Sequence, residues 1–173
     1  RMGMDAVYVH LVDTYYAKGK TPWADEEQIK KLMTQAETTR PILIGKIAPN
    51  LTFYTEGGQP VSIHGIEAEF TVLFFWDPER GHCKVQIPFV IDFYHAYKDK
   101  GVEVLAICTK TGEDISSCWS TIKERGMDIW VNAADQYLRN RYKSIYDVKT
   151  TPQLFILDKN KKIIVKKIAG EDL

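Results

Sequence analysis

The stretch Trp76-Asp77-Pro78-Glu79-Arg80-Gly81-His82-Cys83 gathers residue types that do sulfur or metal chemistry. A cysteine at a helix start is activated when the helix N-terminus and a nearby cation favour its thiolate, and Arg80, three residues before Cys83, supplies such a cation. The opposite reading is a small, half-buried apolar residue, because burial raises a thiol pKa and leaves the sulfur inert. Residue types alone leave both readings open. Arg80 can hold an anionic group of a partner, such as a carboxylate, or it can sit solvated in the loop and contribute little. His82 next to Cys83 invites a metal reading. Structural zinc takes four ligands and catalytic zinc three, and only a distant His64 or Cys108 could add to this pair. No metal and no cofactor is expected.

The chain has two further cysteines, Cys108 and Cys118. Cys108 falls at the end of a buried strand, on the sheet edge where loops carrying ligands gather. It can partner Cys83 only if the two Cα atoms lie within about 7 Å. Core packing is the expectation for both residues, and a 108–118 bridge stays open beside it. Three cysteines, an odd number, do not make a disulfide framework, so cysteine usage leaves the compartment undecided. Trp76 shields the loop, whereas Trp119 and Trp130 read as core anchors.

These residues need elements to hold them. "EFTVLFFW" is a continuous apolar run, which predicts a strand covered on both faces. Residues 83–99 have helical spacing, with Val85, Phe89, Phe93 and Tyr97 on one face and a kink expected at Pro88. "GVEVLAIC" predicts a second buried strand and "DISSCWSTIKERG" a helix capped by Asp114. "DIWVNAAD" is a short extended piece, "QYLRNRYKSIY" a short helix, and "TPQLFILDKNKKIIVKKIAG" two strands around an Asp-Lys-Asn-Lys turn. Upstream, Leu51, Phe53, Val61 and Ile63 alternate about Glu56-Gly57-Gly58, a hairpin signal. Before that come two helices. Val7, Leu11, Val12 and Tyr15 mark the first, stopped by Gly19 and Pro22; Ile29, Leu32, Met33 and Ala36 mark the second, capped by Asp25 and ended before Pro41. The pattern predicts an α/β fold: a mixed central sheet flanked by helices, preceded by a β-hairpin and an N-terminal helical arm. The arm takes residues 1–45 and the sheet domain 46–173.

Composition narrows the function classes. The 173 residues are 45% hydrophobic, yet no stretch approaches the roughly 20 apolar residues of a membrane span. Lys plus Arg and Asp plus Glu number 23 each, which argues against a nucleic-acid partner recruited by long-range charge. The basic run "DKNKKIIVKKI" reads as a lysine-protected edge hairpin. "RMGMDAVYVH" contains no signal peptide and starts inside an amphipathic pattern, as an excised fragment does.

Three separated signals then agree: the Trp-Asp-Pro loop, the Gly-His-Cys helix start, and Thr151-Pro152 before a hydrophobic strand. Together with "VEVLAIC" and "TTPQLFILDKNKKII", they make residues 46–173 resemble the thioredoxin-like thiol:disulfide oxidoreductases and isomerases of the bacterial cell envelope, in the TlpA/ResA-like branch that includes the cytochrome-maturation thioredoxins. The resemblance implies a thioredoxin-like fold, a periplasmic or envelope location, and protein thiols, disulfides or extended peptide segments as partners. The family motif is Trp-x-x-x-Cys-x-x-Cys. Trp76 and Cys83 match it, Gly81 and His82 fill the gap, and Arg80 stands in place of the nucleophilic first cysteine. Cys83 therefore holds the resolving position, and a dithiol cycle between positions 80 and 83 is excluded, because a guanidinium cannot attack sulfur. The resemblance also implies a cis peptide bond at Thr151-Pro152, with Trp76, Gly81, His82, Thr151 and Pro152 lining a peptide groove. Two readings follow: a thiol:disulfide interchange protein with a degenerate site, or a redox-silent peptide-binding module. A peroxidase of the peroxiredoxin kind shares the fold but needs a Thr shortly before its cysteine, and Gly81-His82 offers none.

Overall fold

A computed structural model describes residues 9–10, 26–168, 170 and 173. The helix expected around Val7, Leu11, Val12 and Tyr15 lies outside the described residues. The second arm helix, α1, is Glu26–Thr39, and a 3-10 turn at Arg40–Ile42 carries the chain past Pro41. Ala36 on α1 is buried as expected; the side chains of Ile29, Leu32 and Met33 lie outside the described set.

Hairpin strands β1 (Thr52–Tyr54) and β2 (Pro60–Ser62) pair antiparallel, Phe53 opposite Val61. Gly58 in the turn has φ +78°, a backbone state that costs glycine little. The core follows: β3 (Phe70–Trp76), helix α2 (Gly81–Tyr97), β4 (Val102–Cys108), helix α3 (Ile115–Glu124), β5 (Val131–Ala134), the short helix α4 (Tyr142–Ile145), β6 (Gln153–Asp158) and β7 (Ile163–Ile168). The strands form one seven-stranded sheet in the order β2-β1-β5-β4-β3-β6-β7. Strands β3, β4 and β5 run parallel, and β6, β7 and the hairpin run antiparallel to their neighbours.

Alternation along the two central strands divides the core. Val72, Phe74 and Trp76 with Val104, Ala106 and Cys108 face α2 and α3; Leu73, Phe75, Leu105 and Ile107 face the hairpin and α4. Burial of each such large side chain contributes roughly 1.5–3 kcal/mol. This explains why "EFTVLFFW" carries no polar face: both sides of β3 are covered. On the second face Phe75 stacks on Tyr142 with ring centroids 5.6 Å apart.

Three expectations need correction. The face of α2 that meets the sheet is Cys83, Gln86, Ile87 and Val90, whereas Val85, Phe89 and Tyr97 are exposed. Apolar residues lie all round this helix, so spacing alone could not choose its buried side. Trp119 belongs to the core only in part: it is half-buried, packs against the cluster between the sheet and helices α2 and α3, and lines a cleft of about 310 Å³ with Tyr54 and Tyr137; Trp130 is buried as expected, its indole N–H donating to Asn132 Oδ1 at 3.2 Å. The basic run after β6 is not all solvated. Lys161 and Lys166 are buried; the Lys161 ammonium donates to the Ile66 carbonyl and to Thr71 Oγ1 (3.1 Å), and that of Lys166 to the Ile42 carbonyl (3.0 Å). Burial lowers the pKa of Lys161, opposed by the nearby Asp158 carboxylate. The outer side of β7 is shielded at its start by backbone rather than by lysines: Gly45 N–H donates to the Ile163 carbonyl (2.8 Å), and Ile163 N–H to that of Lys46 (2.9 Å).

Candidate functional site

Strand β3 delivers Trp76 to the carboxyl edge of the sheet, and the chain turns there around Asp77. The Asp77 carboxylate accepts the Glu79 N–H at 2.8 Å, and its carbonyl accepts the Arg80 N–H at 3.2 Å. Lys110, just after the end of β4, pairs with Asp77 (3.4 Å) and Glu79 (2.6 Å). The loop is thus closed from within and tethered to the neighbouring strand. Arg80 is the N-cap residue of α2 but makes no side-chain cap, and the Lys84 N–H reaches its carbonyl at 3.2 Å.

Arg80, Gly81 and His82 are exposed; Cys83, one residue further, has no exposed surface at all. A Cβ on Gly81 would meet nothing within 4 Å, so the first helical turn presents bare backbone. Cys83 Sγ lies beneath the loop, accepting the Asp77 N–H at 3.4 Å. Burial pushes its pKa above the usual thiol range. Hydrogen bonds from the Asp77 N–H and the Thr151 hydroxyl pull it back, the Asp77 charge adds to the rise, and the Arg80 charge offsets it least. Trp76 is fully buried beside Cys83 in the same apolar cluster, its indole N–H without a hydrogen-bond partner in the structure.

Thr151 and Pro152 enter from the start of β6, both half-buried, and the peptide bond between them is cis. Between this segment and the Asp77–Arg80 loop lies a polar notch of about 150 Å³, lined by Asp77, Arg80, Thr109, Lys143, Val148, Lys149, Thr150 and Thr151. The structure therefore brings Arg80, Cys83, Trp76 and Thr151 together around the loop. Asp77, Thr109, Lys143 and Lys149 join them without having been singled out from sequence. The Trp-Asp-Pro turn pointed to Asp77, but nothing local marks lysines 66 and 72 residues further along the chain.

The remaining cysteines are not free thiols in the core. Cys108 and Cys118 form a disulfide with Cα atoms 6.1 Å apart, both buried, so core packing of separate thiols is corrected and no Cys83–Cys108 bridge exists. The chemistry fits the sheet: the helix that follows β4 folds back over its last residue, which brings a position ten residues on within bridging range. Cys83 is left as the free cysteine. His64 does not approach His82 as a co-ligand; its ring nitrogen meets the Ala48 carbonyl at 2.6 Å. Among the described residues, no three His, Cys, Asp or Glu side chains gather as a metal-holding group. No helix among them is long and apolar enough to cross a membrane.

A mixed sheet with helices on both faces, a Trp-ended strand leading into a cysteine-bearing helix, and a facing Thr-Pro segment define a thioredoxin-like protein. Residues 44–166 match the AhpC/TSA family, and the chain belongs to it. It is similar to the thiol-disulfide oxidoreductase ResA of Bacillus cereus, 29% identical over 128 residues that cover 74% of this chain and 70% of that protein. ResA of Geobacillus kaustophilus is 27% identical over 137 residues, covering 76% and 75%. Among solved structures, a domain of a possible thiol-disulfide isomerase from Cytophaga hutchinsonii superposes with a TM-score of 0.70 and 34% identity, over 76% of this chain and 88% of that one. A thioredoxin-like protein from Bacteroides caccae gives 0.81 at 22% identity, over 97% of this chain and 60% of its own, a likeness of fold.

Proposed function

We propose that this chain is a redox-silent binding module on a thioredoxin fold, holding extended peptide segments of partner proteins in the groove between the Trp76–Cys83 loop and Thr151-Pro152. One observation carries the reading: the free sulfur, Cys83, is fully buried and held protonated by its surroundings, with Arg80 rather than a second thiol at the exposed end of the motif. Thiol–disulfide exchange needs an accessible thiolate and a resolving partner, and this loop offers neither. Beside the buried sulfur, by contrast, Arg80, Gly81 and His82 are exposed, and the notch of about 150 Å³ lies between the loop and Thr151. Thr151 is half-buried, and among the described residues neither its N–H nor its carbonyl bonds another backbone group outside the strands, so both can pair with an incoming extended chain. A location in the bacterial cell envelope, on the periplasmic side, fits the thiol:disulfide oxidoreductase relatives and the Cys108–Cys118 bridge, which an oxidising compartment preserves.

The hydrogen bonds that reach Cys83 Sγ from Asp77 and Thr151 favour one further reading, a monothiol that forms a mixed disulfide when the loop opens. Reduction of insulin by dithiothreitol, followed by turbidity, separates the readings when combined with peptide binding by anisotropy. A binding module adds nothing to the uncatalysed rate while retaining peptide affinity. Catalytic acceleration by the unaltered chain would overturn the proposal, and a stoichiometric adduct with oxidised glutathione on the folded protein would favour the monothiol.

A further inference from the structure

The notch beside the groove has an unbalanced charge. Its lining sets Arg80, Lys143 and Lys149 against the single carboxylate of Asp77; Lys110 is shared between Asp77 (3.4 Å) and Glu79 (2.6 Å), and Lys149 pairs with Asp147 at 3.6 Å while its ammonium donates to Gln35 Oε1 at 2.9 Å. Arg80 and Lys143 line the same space, and among the described residues neither side chain has a carboxylate within ion-pair distance. Two like charges left facing one cleft repel each other, and an anion placed between them removes that cost and gains charge-assisted hydrogen bonds. Thr109 and Thr150 belong to the same lining and carry hydroxyl donors, whereas the hydroxyl of Thr151 is engaged with Cys83.

From this arrangement we infer that the groove selects acidic segments: a Glu or Asp side chain of an extended partner peptide enters the notch and is held by Arg80 and Lys143, with Lys149 at its rim. The inference rests on the peptide-binding reading above and gives it a substrate class. The delivery by a peptide, rather than by a free ion, follows from Thr151. Among the described residues its backbone N–H and carbonyl make no backbone hydrogen bond outside the strands, so a carboxylate arriving on an extended chain gains main-chain bonds that a small anion cannot make. Side chains two apart on such a strand point to the same side, which sets the acidic residue's position relative to the paired backbone. Arg80 acquires a purpose here that its neighbours explain: it sits where the exposed thiol of a dithiol motif would meet the substrate, and it meets it with charge.

The test uses the whole chain and a fluorescein-labelled eight-residue peptide of Thr, Ser and Val with one central Glu, beside a twin carrying Gln, titrated by anisotropy in 50 and 500 mM NaCl. The Glu peptide binds at least about fivefold tighter at low salt, and the gap narrows at high salt as charges are screened. Arg80→Ala and Lys143→Ala each bring the gap below about twofold, by weakening the Glu peptide more than its twin. Equal affinity of both peptides for the unaltered protein overturns the acidic preference and leaves the peptide groove standing. Failure of both peptides to bind up to millimolar concentration overturns the groove and the preference together. Inorganic phosphate that displaces no peptide but shifts the Arg80 and Lys143 resonances at lower concentration than the Glu peptide marks a small-anion site and overturns the peptide assignment.

Discussion

The two sulfur positions of this molecule share a layer of the core yet have opposite chemistry. Cys83 and the Cys108–Cys118 pair all lie in the apolar cluster between the sheet and helices α2 and α3, and all are almost fully buried. Residue type and burial do not separate them. Company does: Cys108 and Cys118 face each other across a helix that folds back over its strand, whereas Cys83 faces Trp76, a loop amide and a threonine. The difference teaches that a buried cysteine is a covalent staple or a quiet filler according to what the topology brings opposite it. Both positions are buried, one sulfur free and two bridged.

That contrast can be broken outright by Arg80→Cys. A second thiol at the exposed helix start converts no turnover into measurable insulin reduction if the loop is otherwise intact, and an absence of gain would mean that the surroundings have diverged as well. The staple is tested next. Removing it by Cys118→Ala, or by reduction, costs about 3 kcal/mol, the loop-closure value for a crosslink of this span, read as a lower urea midpoint. An unchanged midpoint would reduce the bridge to a bystander.

Cys83 gives the smaller effects. Its thiol is held above the usual range by burial, so iodoacetamide labelling of the folded protein at pH 8 runs at least about tenfold slower than in guanidinium and accelerates only as pH rises beyond the free-thiol range near 8.5. The linkage has a definite sign. With the folded value above the unfolded one, the stability Cys83 contributes is intact below the unfolded pKa and is lost as pH climbs through the folded one. Titration of the labelling rate below about pH 7.5 would restore an activated monothiol. Cys83→Ala, a modest change in a packed site, costs about 1 kcal/mol or less by thermal unfolding. A larger loss would show the sulfur's hydrogen bonds to be part of the loop's support.

The sequence made the sheet strands and the loop legible because their signals are local. Alternation marks the hairpin, unbroken apolar runs mark β3 and β4, and Trp76, Cys83 and Pro152 stand at fixed distances from strand ends. What escaped depends on contacts between distant segments. The buried side of α2 is decided by where the helix lands on β3, since Val85 and Phe89 are as apolar as Ile87 and Val90. Lys161 and Lys166 are internal because carbonyls of residues 66 and 42 wait within reach, and no pattern of lysines announces that. The notch is the clearest case. Arg80 was visible as an oddity of the motif, while Lys143 and Lys149 became its companions only through the placement of α4 and the segment after it.

The segment from Gly45 to Ala48 laid along the start of β7 has a wider consequence for how copies of this molecule meet. An unpaired strand margin is an invitation to another chain, and here that margin is already partly occupied by the protein's own backbone. At the far side, β2 is three residues long and opens with Pro60, which lacks an amide hydrogen to offer. Each rim of the sheet thus carries one feature that discourages another chain from adding a strand: backbone along the start of β7 and a proline at the head of β2.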